Sequence, residues 1–243
     1  MKLIIGTSSK MNLTSSEAAI YLDDLRPRVA DVPERTLFVL LPFTAIWVAR
    51  ERLAGSAMGW GAQDVHPDEA GAHTGDVSAP MLADLGCTYV EVGHHERRRD
   101  HGETDELIAR KVAAIQRWGM TAILCVGEQE RLSMDDTLGT LDQQLSHAAS
   151  FDPSRLVIAY EPSWAIGFGA TAAPARWVRD VHAAIRDRLP PVSPSSIPVI
   201  YGGSVSPDTA QGLLATPGVD GLFVGRQALD PAVLAAIAHA PVH

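Results

Sequence analysis

Short apolar, β-branched runs recur along the chain, each followed by a stretch whose apolar positions return at helical spacing. This is the pattern of parallel strands joined by crossover helices. Eight strands are predicted: Leu3–Gly6, Leu37–Leu41, Met58–Ala62, Thr88–Val92, Thr121–Val126, Leu156–Glu161, Pro198–Tyr201 and Gly221–Gly225. Continuously apolar stretches such as Leu37 to Leu41 and Leu156 to Ala159 belong to strands buried on both faces, so helices must cover the sheet. The clearest helices are Thr104–Trp118, with Asp105 and Glu106 in its first turn, and Pro174–Leu189, with proline at its start. No linker or repeat divides the chain, and the Pro/Ser-rich segment 190–198 reads as a loop within one domain. Eight βα units in 243 residues fit a single-domain (β/α)8 barrel, with a doubly wound open sheet as the alternative.

Composition narrows the function classes. With 46% hydrophobic residues the chain can bury a sizeable core, and 20 Lys plus Arg against 29 Asp plus Glu give a net charge of −9. That balance argues against nucleic acid as a partner, and an anionic ligand would need a local positive site. Cys87 and Cys125 form neither a CxxC pair nor a disulfide framework and read as buried thiols of a reducing compartment. No apolar stretch is long enough for a membrane span or a secretory leader, so a soluble cytoplasmic protein is expected.

In barrels of this kind the chemistry sits at the C-terminal ends of the strands and in the loops just after them. Four stretches there carry reactive residues: Thr7 to Lys10, Gly93 to Arg98, Glu161, and Gly202 to Ser204. Taken singly they read blandly, as a solvated lysine, a loop histidine, a helix-terminal acid and a turn. Their shared rim suggests more. A carboxylate on a strand end moves a proton between neighbouring carbons, a neutral imidazole hydrogen-bonds the adjacent oxygens, and an ammonium stabilises the developing enediolate. Glu161, His94 and Lys10 fill those roles. The loops after strands seven and eight, with Ser204, Gly225 and Arg226, are where barrels build phosphate sites, which points to a phosphorylated small molecule. The segment 161–169, glycine-containing with an apolar tip around Trp164, suits a lid that shuts out water. A zinc site is rejected because Arg99 stands where an HExxH motif beginning at His95 needs its second histidine. Cys125 reads as a structural thiol rather than a nucleophile.

From end to end the chain resembles the triosephosphate isomerase family. The segments that carry the resemblance are Lys10-Met11-Asn12, Gly61-Ala62-Gln63, Gly71 to Gly75, Gly93 to Arg98, Gly102 to Asp105, Cys125 to Glu128, Tyr160 to Gly167 and Tyr201 to Val205. The resemblance implies a TIM barrel with Lys10 as electrostatic partner, His94 as electrophile, Glu161 as base and Glu96 as a supporting acid beside the lysine. It implies phosphate binding by backbone N–H groups of Gly167, Gly225 and Arg226 with help from Ser204, no cofactor or metal, and a homodimer. In that dimer the loop containing Thr74 reaches toward the neighbour's catalytic lysine.

Departures from the family pattern bear on the substrate. Ser8-Ser9 replaces Asn-Trp before the lysine, His95 replaces a serine, and Arg226 replaces a glycine. Ser8 lengthens the room at the floor of the site. Arg226 either reads an oxyanion or hydroxyl, or points to solvent and pairs with an acid. Gly6-Thr7-Ser8, Phe43-Thr44-Ala45 and Gly221 to Arg226 are similar to the branch acting on four-carbon ketose phosphates. That similarity implies interconversion of L-erythrulose 1-phosphate and D-erythrulose 4-phosphate as the expected reaction. The alternatives are isomerisation of dihydroxyacetone phosphate and glyceraldehyde 3-phosphate, and a barrel that binds a phosphosugar without turnover.

Overall fold

In the computed structural model, residues 2–32, 34–166, 172–190 and 197–241 are described. The strands are β1 (Leu3–Ser8), β2 (Arg35–Leu41), β3 (Gly59–Ala62), β4 (Tyr89–Val92), β5 (Thr121–Val126), β6 (Leu156–Tyr160), β7 (Val199–Tyr201) and β8 (Gly221–Val224). Each runs parallel to the next, and β8 pairs back onto β1, closing the sheet into a barrel. The open-sheet alternative is thereby excluded. The helices are α1 (Ser15–Arg28), α2 (Ile46–Leu53), α3 (Ala79–Asp84), α4 (His95–His101), α5 (Asp105–Arg117), α6 (Met134–Gln144), α7 (Ala175–Arg188), α8 (Pro207–Leu214) and α9 (Pro231–Ala238). None is long and apolar enough to cross a membrane among the described residues.

Two apolar cores follow from the period-2 alternation of strand side chains. Inside the barrel, Ile4, Phe38, Leu40, Ile123, Val157 and Phe223 pack together. Outward-facing residues such as Ile5, Val39, Val90, Leu124 and Ile158 pack against the inner faces of the helices. The amphipathic helix expected at 104–118 is α5: Thr104 caps it by accepting from the Leu107 N–H, and Ile108, Val112 and Ile115 face inward. The one expected at 174–189 is α7, buried through Val178, Val181 and Ile185.

Strand β1 is longer than its apolar run suggests. Thr7 and Ser8 read as loop in the sequence, yet they continue the ladder opposite Val39 and Leu40. The Thr7 hydroxyl donates to the Val224 carbonyl at 2.7 Å, which makes a polar residue acceptable at this buried position. Ser8 is thereby fixed at the mouth of the barrel rather than on a loose loop.

Candidate active site

The loops at the C-terminal ends of the strands enclose a cavity of about 900 Å³. Lining it are Ser8, Lys10, His94, Glu96, Glu161, Ser204, Gly225 and Arg226, so these sequence-selected residues share one space. Gly167 and the tip of the expected lid lie outside the described residues.

Strand β1 ends at Ser8, and the chain then bends so that Lys10 takes a left-handed conformation, φ 53°. A lysine in that region is strained and persists only where its surroundings hold it. Here Gln63 donates to Ser9 Oγ at 3.0 Å and to the Leu40 carbonyl at 3.1 Å, while Asn12 donates to the Ser9 carbonyl at 2.8 Å. The Lys10 ammonium is held by Glu96 Oε1 at 2.8 Å. The Glu96 carboxylate also stands 3.5 Å from His94 Nδ1. Burial works to raise the Glu96 pKa, but Lys10 and the histidines outweigh it and hold the carboxyl below its usual range.

After β4, Gly93 turns the chain with φ 73°, a left-handed value natural to glycine. His94 follows as the cap of α4. Its Nδ1 accepts the Glu96 backbone N–H at 3.1 Å, so in the neutral ring the proton sits on Nε2. Burial holds the imidazole below its ordinary value of 6.5, Lys10 reinforces this, and Glu161 only partly offsets it. At neutral pH His94 is therefore an uncharged donor whose Nε2–H faces the reacting space. An NMR titration should find His94 still mainly neutral at pH 6.5; half-protonation at or above that pH would contradict the assignment.

Glu161 leaves the end of β6, its N–H bonded to the Val126 carbonyl at 2.8 Å. Its Oε2 lies 3.4 Å from His94 Nε2 and 3.8 Å from His95 Nδ1. Burial pushes its pKa up, but His94, His95 and Lys10 together outweigh burial and keep the carboxyl ionised. Oε2 is buried and has no hydrogen-bond partner among the described residues. An unsatisfied buried acceptor is costly unless something else completes it, and here the open side is the cavity. His95, whose role the sequence left open, lies against the His94 ring with centroids 4.2 Å apart and the planes tilted by 37°, and its Nδ1 is 3.8 Å from Glu161 Oε2.

After β8, Gly225 leaves the cavity wall open, since a Cβ there would meet nothing within 4 Å. Arg226, exposed, lines the same cavity. The Ser204 hydroxyl, expected to help with phosphate, donates to the Ala165 carbonyl at 2.7 Å and tethers the loop after β7 to the loop after β6. That second loop is anchored further at its start. Trp164 Nε1 donates to Glu128 Oε1 at 2.7 Å, and Tyr160 donates to the same oxygen at 3.0 Å. Trp177 in turn donates to the Tyr160 hydroxyl at 2.9 Å. Burial raises the Glu128 pKa, partly offset by the bonds from Trp164 and Tyr160. Trp164 is therefore an anchor of the expected lid.

One residue at the floor was not singled out in the sequence. Glu91, in the middle of β4, points into the barrel, lines the cavity and accepts from Ser8 Oγ at 2.7 Å. A charged residue inside an otherwise apolar strand run was the available signal.

The family model described as triosephosphate isomerase matches residues 3–241. The triosephosphate isomerase of Synechococcus sp. (strain JA-3-3Ab) is 43% identical over 97% of this chain and 93% of its own length. That of Bordetella pertussis (strain Tohama I / ATCC BAA-589 / NCTC 13251) is 43% identical over 94% of this chain and 92% of its own. A crystal structure of triosephosphate isomerase from Bartonella henselae superposes with a TM-score of 0.88 at 31% identity, covering 99% of both chains.

Proposed function

The chain belongs to the triosephosphate isomerase family, and we propose that it interconverts dihydroxyacetone phosphate and glyceraldehyde 3-phosphate. The observation that carries this reading is the unpartnered Glu161 Oε2 beside the His94 Nε2–H, in one cavity with Gly225 and Arg226. Substrate phosphate occupies the cavity wall at Gly225, which leaves room for close backbone approach. Glu161 removes a proton from the carbon next to the carbonyl. The carbonyl oxygen, receiving the electron pair, is hydrogen-bonded by His94 Nε2–H and stabilised by the Lys10 ammonium. From the resulting enediolate, the Glu161 carboxyl returns a proton to the neighbouring carbon, and the carbonyl has moved by one position. No redox partner is needed, because one carbon is oxidised as its neighbour is reduced.

A second reading, a four-carbon ketose phosphate handled by the same steps, is favoured by one feature: Ser8 is short and turns its hydroxyl to Glu91, leaving a roomy, polar floor. Steady-state turnover on both substrate classes decides. A kcat/KM for glyceraldehyde 3-phosphate near the diffusional ceiling of about 10⁸–10⁹ M⁻¹s⁻¹ establishes the triose reading. No turnover of triose phosphates overturns it.

The position of the base gives a further test. A Cβ on Gly202 would lie 2.8 Å from Glu161 Cγ and 3.2 Å from its Oε1. Gly202→Ala must displace the carboxylate, and a misplacement of about 1 Å costs on the order of 10² in rate. A kcat within threefold of wild type would show that the carboxylate need not sit where it does.

The same reading makes the protein a homodimer. Beside Lys10 a second cavity of about 350 Å³ is lined by Met11, Pro42, Phe43 and Gln63. Met11 is 97% exposed in the single chain. A second copy's loop carrying Thr74, itself exposed, is the proposed occupant. Light scattering should give twice the 26.0 kDa of one chain; a monomer at micromolar concentration contradicts the assignment. Cys87 and Cys125 are free and buried, which supports a reducing compartment such as the cytoplasm.

A further inference from the structure

Side chains inside the barrel are apolar, including Leu40, Ile123, Ile200 and Phe223, yet two carboxyls line the cavity above them. Both are buried: Glu91 is 2% exposed and Glu161 5%. One carboxyl oxygen of each, together with Cys125 Sγ, lie within 4.8 Å of one another. Two like charges this close and this buried repel, so ionising both is unfavourable and one proton stays with the pair.

The surroundings decide which carboxyl keeps it. Glu161 faces nitrogens of His94 and His95 at 3.4 and 3.8 Å, and these with Lys10 favour its ionised form. Among the described residues the hydrogen-bond partners of Glu91 are both neutral. Ser8 Oγ donates to Oε2 at 2.7 Å, and the Cys125 thiol, a weak donor on β5, lies 3.7 Å from Oε1. Other charged groups nearby are engaged elsewhere: Lys10, after β1, is bound by Glu96 at 2.8 Å, and Asp64, after β3, is bound by Lys111 and Arg97. Burial, followed by the negative Glu161, pushes the Glu91 carboxyl up to about 8, with Ser8, Lys10 and Cys125 acting the other way.

We propose that Glu91 is a positioning residue of the isomerase site, one that holds a proton beside Glu161 so that Glu161 alone carries the charge of the pair and acts as the base. The proposal rests on the isomerase reading and adds the residue that sets the upper end of its pH range. Neutrality at Glu91 matters because the substrate brings a phosphate and the enediolate gains a further negative charge. Once Glu91 loses its proton, a second buried carboxylate shares the cavity with that developing charge and the transition state is destabilised. The sign follows from the raised value: Glu91 is protonated and the site fully active below it, and activity declines as the pH rises through it.

The test follows kcat/KM for dihydroxyacetone phosphate against pH in wild type, Glu91→Gln and Glu91→Leu, with thermal melts to confirm folding. In wild type kcat/KM should decline above a pH of about 8, approaching about tenfold per pH unit, the slope of a single ionisation. Neither variant has a carboxyl proton to lose at this position, so both profiles should stay level where the wild type declines. Infrared difference spectra give a readout that needs no turnover. The C=O band of a protonated carboxyl, present in wild type at neutral pH, should vanish as the pH passes about 8 and be missing from Glu91→Gln. If neither variant folds, the wild-type decline and the loss of that band must occur at the same pH. A decline that persists in the folded variants, or a Glu91 already ionised at neutral pH, overturns the proposal. Wild-type turnover of triose phosphate with no alkaline decline overturns the proposal alone, whereas absence of turnover overturns the isomerase reading with it.

Discussion

Glu161→Gln is expected to lower kcat by about 10²–10⁴-fold, the contribution of a positioned general base, while KM changes by no more than a few-fold. The amide keeps the shape of the side chain and its packing against Gly202, whose Cα hydrogen side lies within 2.8 Å of Glu161 Cγ when extended to a Cβ. It also keeps an oxygen beside His94 Nε2, but cannot accept a proton from carbon. A loss confined to kcat marks an interaction made in the transition state, whereas a rise in KM alone would mark substrate binding. Turnover retained within tenfold would place the base elsewhere. Because the wild-type carboxyl lies below its usual range, the base remains ionised throughout the neutral region. Activity that depends on it should fall only as the pH drops below the ordinary value of 4.5.

The second large effect is on stability. Beneath α4, Lys111 Nζ contacts Asp64 Oδ1 at 2.6 Å and Glu103 Oε1 at 2.7 Å, and Arg97 reaches Glu103 at 2.5 Å and Asp64 at 2.8 Å. Lys111 and Glu103 are buried. Lys111→Met leaves two carboxylates sharing Arg97 alone, and breaking a buried ion pair from one side costs about 3–5 kcal/mol. At roughly 2–4 °C per kcal/mol for a chain of this size, the melting temperature should drop by about 6–20 °C. A drop under 2 °C would mean that water or Arg97 already satisfies both acids. The two carboxyls respond differently to their surroundings. Burial raises the Asp64 pKa beyond what Lys111 recovers. In Glu103 burial is outweighed by Lys111 and Arg97, so its pKa is lowered. Glu103 therefore contributes stability that is fully present above its ordinary value of 4.5 and is lost as the pH falls through its lower folded value. Lys111→Met should flatten that acid limb. Since α4 carries Glu96 and follows His94, the network also seats the helix from which the catalytic group is presented.

The barrel was legible because strands such as β2 and β6 are apolar on both faces and helices such as α5 and α7 carry one buried stripe, so two periodicities alternate along the chain. Lys10, His94 and Glu161 were legible because they follow strand ends, where the fold collects reactive groups on one rim. Ser8 was legible as a site residue but not as part of β1, because a hydroxyl side chain gives no hydrophobic signal and its place in the sheet depends on pairing opposite Leu40. The partner of Ser204 was hidden for a similar reason: its bond to the Ala165 carbonyl joins positions brought close only when β6 and β7 pair. Trp164 was read as part of a lid segment, but the sequence did not show that its indole N–H donates to Glu128 or that Trp177 donates to Tyr160. Glu91 went unread, because the meaning of a charge within a buried strand depends on which face of β4 it occupies.

The central claim is that Glu161 shuttles a proton between adjacent carbons of a phosphosugar held against His94 and Lys10. Incubating the protein with dihydroxyacetone phosphate in D₂O and following the carbon-bound protons by NMR tests it directly. The mechanism predicts deuterium at the carbon that receives the proton, in product and in returned substrate, with the signal abolished or slowed by orders of magnitude in Glu161→Gln. Saturable binding of the phosphosugar with neither turnover nor deuterium at carbon would contradict it.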